Sequence, residues 1–190
     1  QPWQWGMFYM LGSSIQGRQL GIVGMGQIGA AVARRARAFG MTIAYTKRSP
    51  LDAETAKELN ATHMELDELL TTSDVVSLHC PYSPETHHLM NASTIGKMKK
   101  SAYLINTARG PVVDEEALAT ALQQGKIAGA GLDVFEKEPT VHQALIGLDN
   151  AVLIPHLGSA TVETRTAMAN LAVTNALAVL SGKTAPNLVG

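Results

Sequence analysis

A glycine-rich turn near the start of the chain constrains its fold more than any other feature. Residues 20–23 form a short apolar run, which has the length of a buried strand rather than of a helix. Gly24, Gly26 and Gly29 follow with the spacing G-x-G-x-x-G. In such a turn the first glycine permits the tight bend, the second lets a pyrophosphate approach the backbone, and the third lets helix and strand pack closely.

The residues after this turn have a helical period. Apolar residues recur at steps of three and four, at Ile28, Val32, Ala36 and Phe39. The free N–H groups and the positive dipole end of such a helix favour a bound phosphate. The sequence therefore predicts a strand, a dinucleotide-binding turn and a helix, although a tight turn without a ligand is the alternative.

The composition and net charge limit the classes of protein to which this chain can belong. The chain has 190 residues, of which 46% are hydrophobic and 16% charged, as in an ordinary globular domain. A net charge of -1 gives no support for a nucleic acid or a membrane surface as a partner. The single cysteine, Cys80, excludes an internal disulfide and offers no metal cluster. We expect a cytoplasmic protein without a metal site.

Strand and helix patterns alternate along the whole chain. The predicted strands are residues 20–23, 41–45, 74–80, 102–108, 128–135 and 151–154. The predicted helices cover residues 51–61, 65–73, 91–99 and 162–180, with Asn91 as a possible cap, and a further helix is capped by Asp114 and ended by Gly125. This alternation predicts an α/β fold with a doubly wound, mostly parallel sheet.

The end of the second predicted strand is basic. In a dinucleotide site this position usually holds an acid that binds the adenosine ribose, but here Thr46, Lys47 and Arg48 are followed by Ser49, and no acid precedes Asp52. Cationic and hydroxyl groups would bind a 2′-phosphate, which a carboxylate would repel. The sequence predicts NADP(H) in preference to NAD(H), and an ordinary solvated basic loop is the alternative.

Several polar residues follow other predicted strands. Pro81 ends one strand at the sheet edge where ligands of open α/β sheets lie. Arg109 follows the next, where its guanidinium group could bind a carboxylate through two hydrogen bonds. Asp133 lies in an apolar run, so it needs a backbone donor or a ligand amide. The adjacent His87 and His88 lack a third ligand at metal-binding spacing, which favours a solvated or capping role.

Three separated segments carry a family resemblance. Residues 23–29 (VGMGQIG), residues 106–118 (NTARGPVVDEEAL) and residues 131–161, which include GLDVFEKEP and PHLGSAT, resemble the nucleotide-binding domain of the D-isomer-specific 2-hydroxyacid dehydrogenases. Within that family they look most like glyoxylate/hydroxypyruvate reductases. The resemblance implies a Rossmann-type NAD(P)-binding domain and reduction of a small 2-keto acid by hydride transfer.

The resemblance also implies roles for single residues. His156 matches the proton donor, Glu138 the carboxylate that orients it and raises its pKa, and Arg109 the group that holds the substrate. Asp133 matches the acid at the nicotinamide end. Further implied cofactor contacts are Gln27 and Ile28 in the turn, with Pro81, Thr86, Thr107, Ala108, Gly158 and Ser159 as weaker candidates.

The resemblance covers one of the two lobes that family members have. Residues 1–17, which include Trp3 and Trp5, are expected to be a connector or helix that packs on another subunit, a missing substrate lobe or its own domain. Residues 18–182 would be the dinucleotide-binding domain, and residues 183–190 a tail returning to the missing lobe. We expect a homodimer formed through this domain, and a 190-residue piece that binds cofactor but turns over poorly.

Two other functions stay open at this point. One is a relative acting on another substrate, such as phosphoglycerate, D-lactate, formate or phosphite. The basic residues after the second strand favour a reductive NADPH role, but the residues that choose the substrate lie mostly in the missing lobe. A dehydrogenase-like module that senses NAD(H), as in transcriptional corepressors resembling this family, would keep the same nucleotide site without turnover.

Overall fold

The computed structural model describes residues 3, 5–9 and 11–188. The chain divides into two compact units, residues Gln1–Leu153 and residues Ile154–Gly190. Every strand of the sheet lies in the first unit, and the longest helix lies in the second.

The first unit is built on one parallel sheet. Its strands are β1 (Gln19–Val23), β2 (Thr42–Thr46), β3 (Ala61–His63), β4 (Val75–Leu78), β5 (Tyr103–Asn106), β6 (Gly129–Leu132) and β7 (Ala151–Leu153). They pair in the order β3-β2-β1-β4-β5-β6-β7, and all pairs are parallel. This order confirms the predicted α/β fold of the Rossmann type, and the chain reverses its direction of winding between β1 and β4.

Helices alternate with the strands along the chain. They are α1 (Gln27–Ala38), α2 (Ala53–Leu59), α3 (Leu66–Thr72), α4 (Ala92–Ile95), α5 (Glu115–Gln123) and α6 (Val162–Leu180). Asn91 and Asp114 cap α4 and α5 through side chains that accept backbone N–H groups, as the sequence predicts. The bounds of α6 are those predicted, whereas α4 is one turn long instead of spanning residues 91–99. Among the described residues, no helix combines the length and the apolar character needed to cross a membrane.

One helix boundary differs from the prediction. The helix predicted over residues 51–61 ends at Leu59, because Asn60 adopts a left-handed conformation (φ 46°), and Ala61 begins the edge strand β3 instead. The buried face of α1 consists of Gly29, Ala33 and Ala36, whereas Ile28 and Phe39 are exposed. The described residues before position 18 contain a turn at residues 7–9 and no helix.

Small residues let the layers of the first unit approach closely. Gly21 in the buried strand β1 faces Ser73 and Leu69, and a Cβ atom built there would lie 2.6 Å from Leu69 Cδ2. Leu69 is itself fully buried. Strand β1 is therefore held against α3 at a separation that only glycine permits.

Replacing Gly21 with alanine is expected to lower the free energy of unfolding by about 1–3 kcal/mol, because the added methyl group overpacks a rigid core. Urea denaturation of the Gly21→Ala chain measures this loss. Gly12→Ala is the matched control, since no heavy atom lies within 4 Å of a Cβ built there. Equal midpoints for the two variants would contradict the packing argument.

Two glutamates join the turn after β5 to the turn after β6. The backbone N–H of Glu115 donates to Glu136 Oε1 (3.0 Å), and the backbone N–H of Glu136 donates to Glu115 Oε1 (2.7 Å). Glu115 is buried, and His88 Nε2 lies 3.3 Å from Glu136 Oε1. Gly110 lies so close to the backbone of residues 135–136 that a side chain there would overlap it. We call the reciprocal Glu115–Glu136 contact the glutamate clamp.

The glutamate clamp makes the folding stability depend on pH. Burial, with a smaller contribution from the charge of Glu136, raises the pKa of Glu115 above its ordinary value of 4.5. A raised pKa means that the contribution of Glu115 to folding stability is complete below about pH 4.5 and is lost as the pH rises through the folded-state pKa.

Glu115→Gln keeps an acceptor oxygen but cannot ionise, so its free energy of unfolding relative to wild type is expected to increase as the pH rises from about 4 to 7. Urea denaturation at several pH values measures this difference. Glu116→Gln, an exposed neighbour, is the control. A difference for Glu115→Gln that shrinks with rising pH would refute the assignment.

Candidate functional site

The glycine turn lies where the loops after β1 and β4 meet. Gly24 has a φ of +96°, and a Cβ built on it would lie 2.6 Å from the Cα of Cys80. A Cβ on Gly29 would lie 2.6 Å from the carbonyl oxygen of Gly24. The first glycine therefore allows both the bend and a backbone contact with the next loop, and the third allows α1 to begin against the turn.

The start of α1 is open to a ligand. No heavy atom lies within 4 Å of a Cβ built on Gly26, and the helix has neither a side-chain cap nor an acid in its first turn. The first N–H groups of a helix have no partner within it, and its dipole favours negative charge there. Gly26, Gln27 and Ile28 thus leave a cradle that fits a phosphate group.

The arginines of α1 are engaged elsewhere. Arg34 Nε donates to Glu58 Oε1 (2.7 Å), and this pairing raises the pKa of Arg34 and lowers that of Glu58. Arg35 donates to the carbonyl of Ala31, and Arg37 donates to the carbonyl of Glu58. These cations hold α1 and α2 rather than supplying charge at the glycine turn.

The basic residues after β2 lie beside the glycine turn. The carbonyl of Thr46, the last residue of β2, accepts the backbone N–H of Gly24 (3.0 Å). Lys47 is half-buried and Arg48 is exposed. The structure therefore brings the predicted 2′-phosphate residues next to the predicted pyrophosphate turn.

A cavity of about 760 Å³ opens at the same edge of the sheet. Five of the predicted residues line it: Ile28, Pro81, Thr107, Ala108 and Arg109. Four other lining residues were not predicted: His79, Cys80, Tyr82 and Pro111. Their signal was available in the sequence, because each lies within two residues of a predicted one at the carboxyl end of a strand.

Two unpredicted lining residues are uncharged at neutral pH. Burial lowers the pKa of His79 below its ordinary value, and the ring Nε2 lies 2.8 Å from Ser77 Oγ. Burial also raises the pKa of the Cys80 thiol. Arg109 is therefore the residue that brings formal charge to this cavity wall.

A buried asparagine shapes the turn that presents Arg109. The side chain of Asn106 accepts the backbone N–H of Ala108 (3.0 Å) and donates to the carbonyl of Arg109 (3.0 Å). Arg109 is exposed, and its Nη1 donates to the carbonyl of Ala108 (2.6 Å). Asn106 thus fixes the backbone from which the guanidinium group extends.

Asp133 and Glu138 lie on the turn after β6. Asp133 is buried, and its backbone N–H donates to the carbonyl of Asn106 (3.0 Å). Glu138 is exposed, and its Oε1 accepts the backbone N–H of Phe135 (3.0 Å). The Asn106 contact and the glutamate clamp together tie this turn to the one that carries Arg109.

Thr86 has a structural role in the loop after β4. Its hydroxyl donates to the carbonyl of Pro81 (2.8 Å) and accepts the backbone N–H of Ser83 (2.8 Å). These bonds close the loop that carries Pro81 along the cavity. Thr86 therefore shapes the cavity wall, and its contact with a cofactor stays a prediction.

The remaining predicted residues belong to the second unit. His156 is exposed and has a positive φ of 53°, and its backbone N–H donates to the carbonyl of Ile154 (3.1 Å). Gly158 and Ser159 follow in the loop that leads to Thr161, the cap of α6. The pairing of His156 with Glu138 stays a prediction. Within the described part of the chain, no group of three His, Cys, Asp or Glu residues is arranged to hold a metal ion.

Known proteins resemble this chain along almost all of its length. The family model for "D-isomer specific 2-hydroxyacid dehydrogenase, NAD binding domain" matches residues 1–158. A glyoxylate reductase from Thermococcus onnurineus is 51% identical over 185 residues, which are 97% of this chain and 55% of that enzyme. The chain thus spans about half the length of the curated relatives it matches.

Solved structures agree with these sequence matches. An NADPH-dependent glyoxylate/hydroxypyruvate reductase from Sinorhizobium meliloti, in complex with NADP and malonate, is 43% identical with a TM-score of 0.86, and the match covers 93% of this chain and 54% of that one. D-lactate dehydrogenase from Escherichia coli is 33% identical with a TM-score of 0.88, and the match covers 97% of this chain and 58% of that one. The chain therefore belongs to the D-isomer specific 2-hydroxyacid dehydrogenase family and carries its NAD binding domain.

Proposed function

We propose that the protein to which this chain belongs reduces a small 2-keto acid, glyoxylate or hydroxypyruvate, to the 2-hydroxy acid with NADPH. One observation carries the proposal: the glycine turn, the basic loop after β2 and the Arg109 cavity lie along the same carboxyl edge of one parallel sheet. The glyoxylate reductases among the relatives support this choice of substrate.

The cofactor would lie along this edge. Gly24, Gly26, Gln27, Ile28 and Gly29 would hold the pyrophosphate at the start of α1. Thr46, Lys47 and Arg48 would hold the 2′-phosphate, because charge-assisted hydrogen bonds to phosphate are strong. When bound, the reduced nicotinamide supplies the hydride for the reaction.

The chain's own residues would supply binding and the proton. Arg109 would hold the substrate carboxylate with two parallel hydrogen bonds and fix the carbonyl in position. His156 would donate a proton to the carbonyl oxygen, and Glu138 would stabilise the imidazolium form that precedes the transfer. Asp133 would accept a hydrogen bond from the carboxamide end of the cofactor.

The substrate is tested on the complete protein with both reduced cofactors and a panel of 2-keto acids. Glyoxylate or hydroxypyruvate is expected to give the highest kcat/KM. His156→Ala is expected to lower kcat by about 100-fold or more, because it removes the proton donor. The fall in absorbance as the reduced cofactor is oxidised measures kcat/KM for the panel and kcat for the variant. Wild-type activity retained in His156→Ala would remove this residue from the mechanism, and preference for pyruvate would favour a D-lactate enzyme.

The cofactor preference is tested by titrating this chain with NADPH and NADH and following nicotinamide fluorescence. NADPH is expected to bind more tightly, and Arg48→Ala to weaken NADPH binding about tenfold or more while leaving NADH binding unchanged. Lys57→Ala, an exposed cation on α2, is the matched control. Tighter binding of NADH by the wild-type chain would overturn the preference.

A different substrate within the family is the runner-up, and the similarity to D-lactate dehydrogenase favours it over a purely sensory module. Extending the substrate panel to formate and phosphite with the oxidised cofactors separates these functions. If the complete protein binds the cofactor but turns over none of these compounds, an NAD(H)-sensing module is indicated instead.

The protein is further proposed to act as a homodimer in the cytoplasm. The exposed side chains of Trp3, Trp5 and Phe8 support a packing partner for the first segment, because a group of large apolar side chains in water marks an interaction surface.

A further inference from the structure

A buried tyrosine holds one end of the basic loop, which consists of residues 46–50. Tyr45 on β2 is 2% exposed, and its hydroxyl oxygen accepts the backbone N–H of Leu51 (2.9 Å). The loop thus leaves β2 next to Tyr45 and returns to the same side chain. This N–H is partly buried, so losing its acceptor has a cost, and the bond therefore fixes where the loop ends.

A histidine holds the other end of the loop. His63 on β3 pairs in register with Tyr45, and its Nε2 lies 3.3 Å from the carbonyl oxygen of Lys47. Because a carbonyl oxygen can only accept, Nε2 carries the hydrogen. The rings of His63 and Tyr45 contact each other edge to face, with their centroids 5.2 Å apart.

The two contacts constrain the cations between them. The N–H of Gly24 binds the carbonyl of Thr46, His63 binds the carbonyl of Lys47, and Tyr45 binds the N–H of Leu51. Arg48 lies between these fixed points. Lysine and arginine side chains lose much conformational freedom when they bind an anion, and fixing their backbone beforehand reduces the cost of binding.

We propose that Tyr45 and His63 are positioning residues that set the preference for an adenosine ribose carrying a 2′-phosphate over one carrying a free hydroxyl. The inference rests on the proposed NADP(H) function and extends it to residues that do not touch the phosphate. It follows that the charges of Lys47 and Arg48 discriminate less strongly when the loop backbone is released.

The experiment measures the dissociation constants of NADPH, NADH and 2′,5′-ADP for this chain by fluorescence titration and calorimetry. Tyr45→Phe keeps the ring and removes the acceptor, and His63→Leu removes the donor. Each is expected to lower the ratio of NADPH to NADH affinity about fivefold, the effect of one hydrogen bond, with NADH binding changed less than twofold. The affinity for 2′,5′-ADP is expected to fall in parallel with the affinity for NADPH.

Matched variants separate positioning from general damage. His63→Gln keeps a donor near the Nε2 position and is expected to restore most of the preference, and Tyr103→Phe, on the exposed part of β5, is expected to leave it unchanged. Circular dichroism confirms folding, and if Tyr45→Phe does not fold, the two His63 variants carry the test.

The outcomes distinguish the inference from the function beneath it. A wild-type chain without preference for NADPH refutes the proposed cofactor and the inference with it. A wild-type preference that Tyr45→Phe and His63→Leu both keep refutes the inference alone, as does an equal loss of affinity for NADPH and NADH.

Discussion

The structure depends on the close approach of backbone to backbone along the carboxyl edge of the sheet. Gly24 contacts the backbone of residues 79–80 across the point where the direction of winding reverses, and no side chain fits between them. This contact joins the phosphate-binding turn to the loop that carries Pro81. Gly110 makes the same kind of contact with residues 135–136, two strands further along the sheet. These contacts join the loop after β1 to the loop after β4, and the loop after β5 to the loop after β6.

Hydrogen bonds between side chains and backbone complete that surface. Asn106 closes the Arg109 turn, and the glutamate clamp fixes the turn that carries Glu138. Burying Glu115 costs free energy, since its pKa is raised, and the backbone N–H of Glu136, which donates to its carboxylate, offsets part of that cost. A carboxylate is suited to this role because it accepts from a backbone N–H that the loop itself cannot satisfy. The positions of Arg109 and Glu138 thus depend on residues that do not line the cavity.

The sequence predicted the features that local rules determine. The glycine turn, the caps Asn91 and Asp114, and helix α6 follow from spacing and residue type. The carboxyl-edge rule located Pro81 and Arg109 in the cavity, whereas the family resemblance pointed to the other predicted lining residues. Features that depend on tertiary contacts were not predictable in this way. Strand β3 is short and lacks an apolar run, so its pairing with β2 decides its conformation. Ile28 fits the apolar period of α1 but is exposed and lines the cavity, whereas Gly29, Ala33 and Ala36 form the buried face of that helix. The clamp joins residues 21 positions apart, a separation that no local pattern contains.

The cations of α1 and the cations of the loop after β2 have different contacts. Arg34 and Arg37 are bound to Glu58, so the charge on α1 serves the contact between α1 and α2. Lys47 and Arg48 extend from a loop whose backbone is fixed at both ends by Tyr45 and His63. The pKa of Glu85 is lowered mainly by its hydrogen bond with Ser83 and to a lesser degree by Arg48. A loop held in place would favour the ligand that reaches both Lys47 and Arg48 at once. Under the proposed function, discrimination between the two nicotinamide cofactors would depend on backbone geometry as much as on charge.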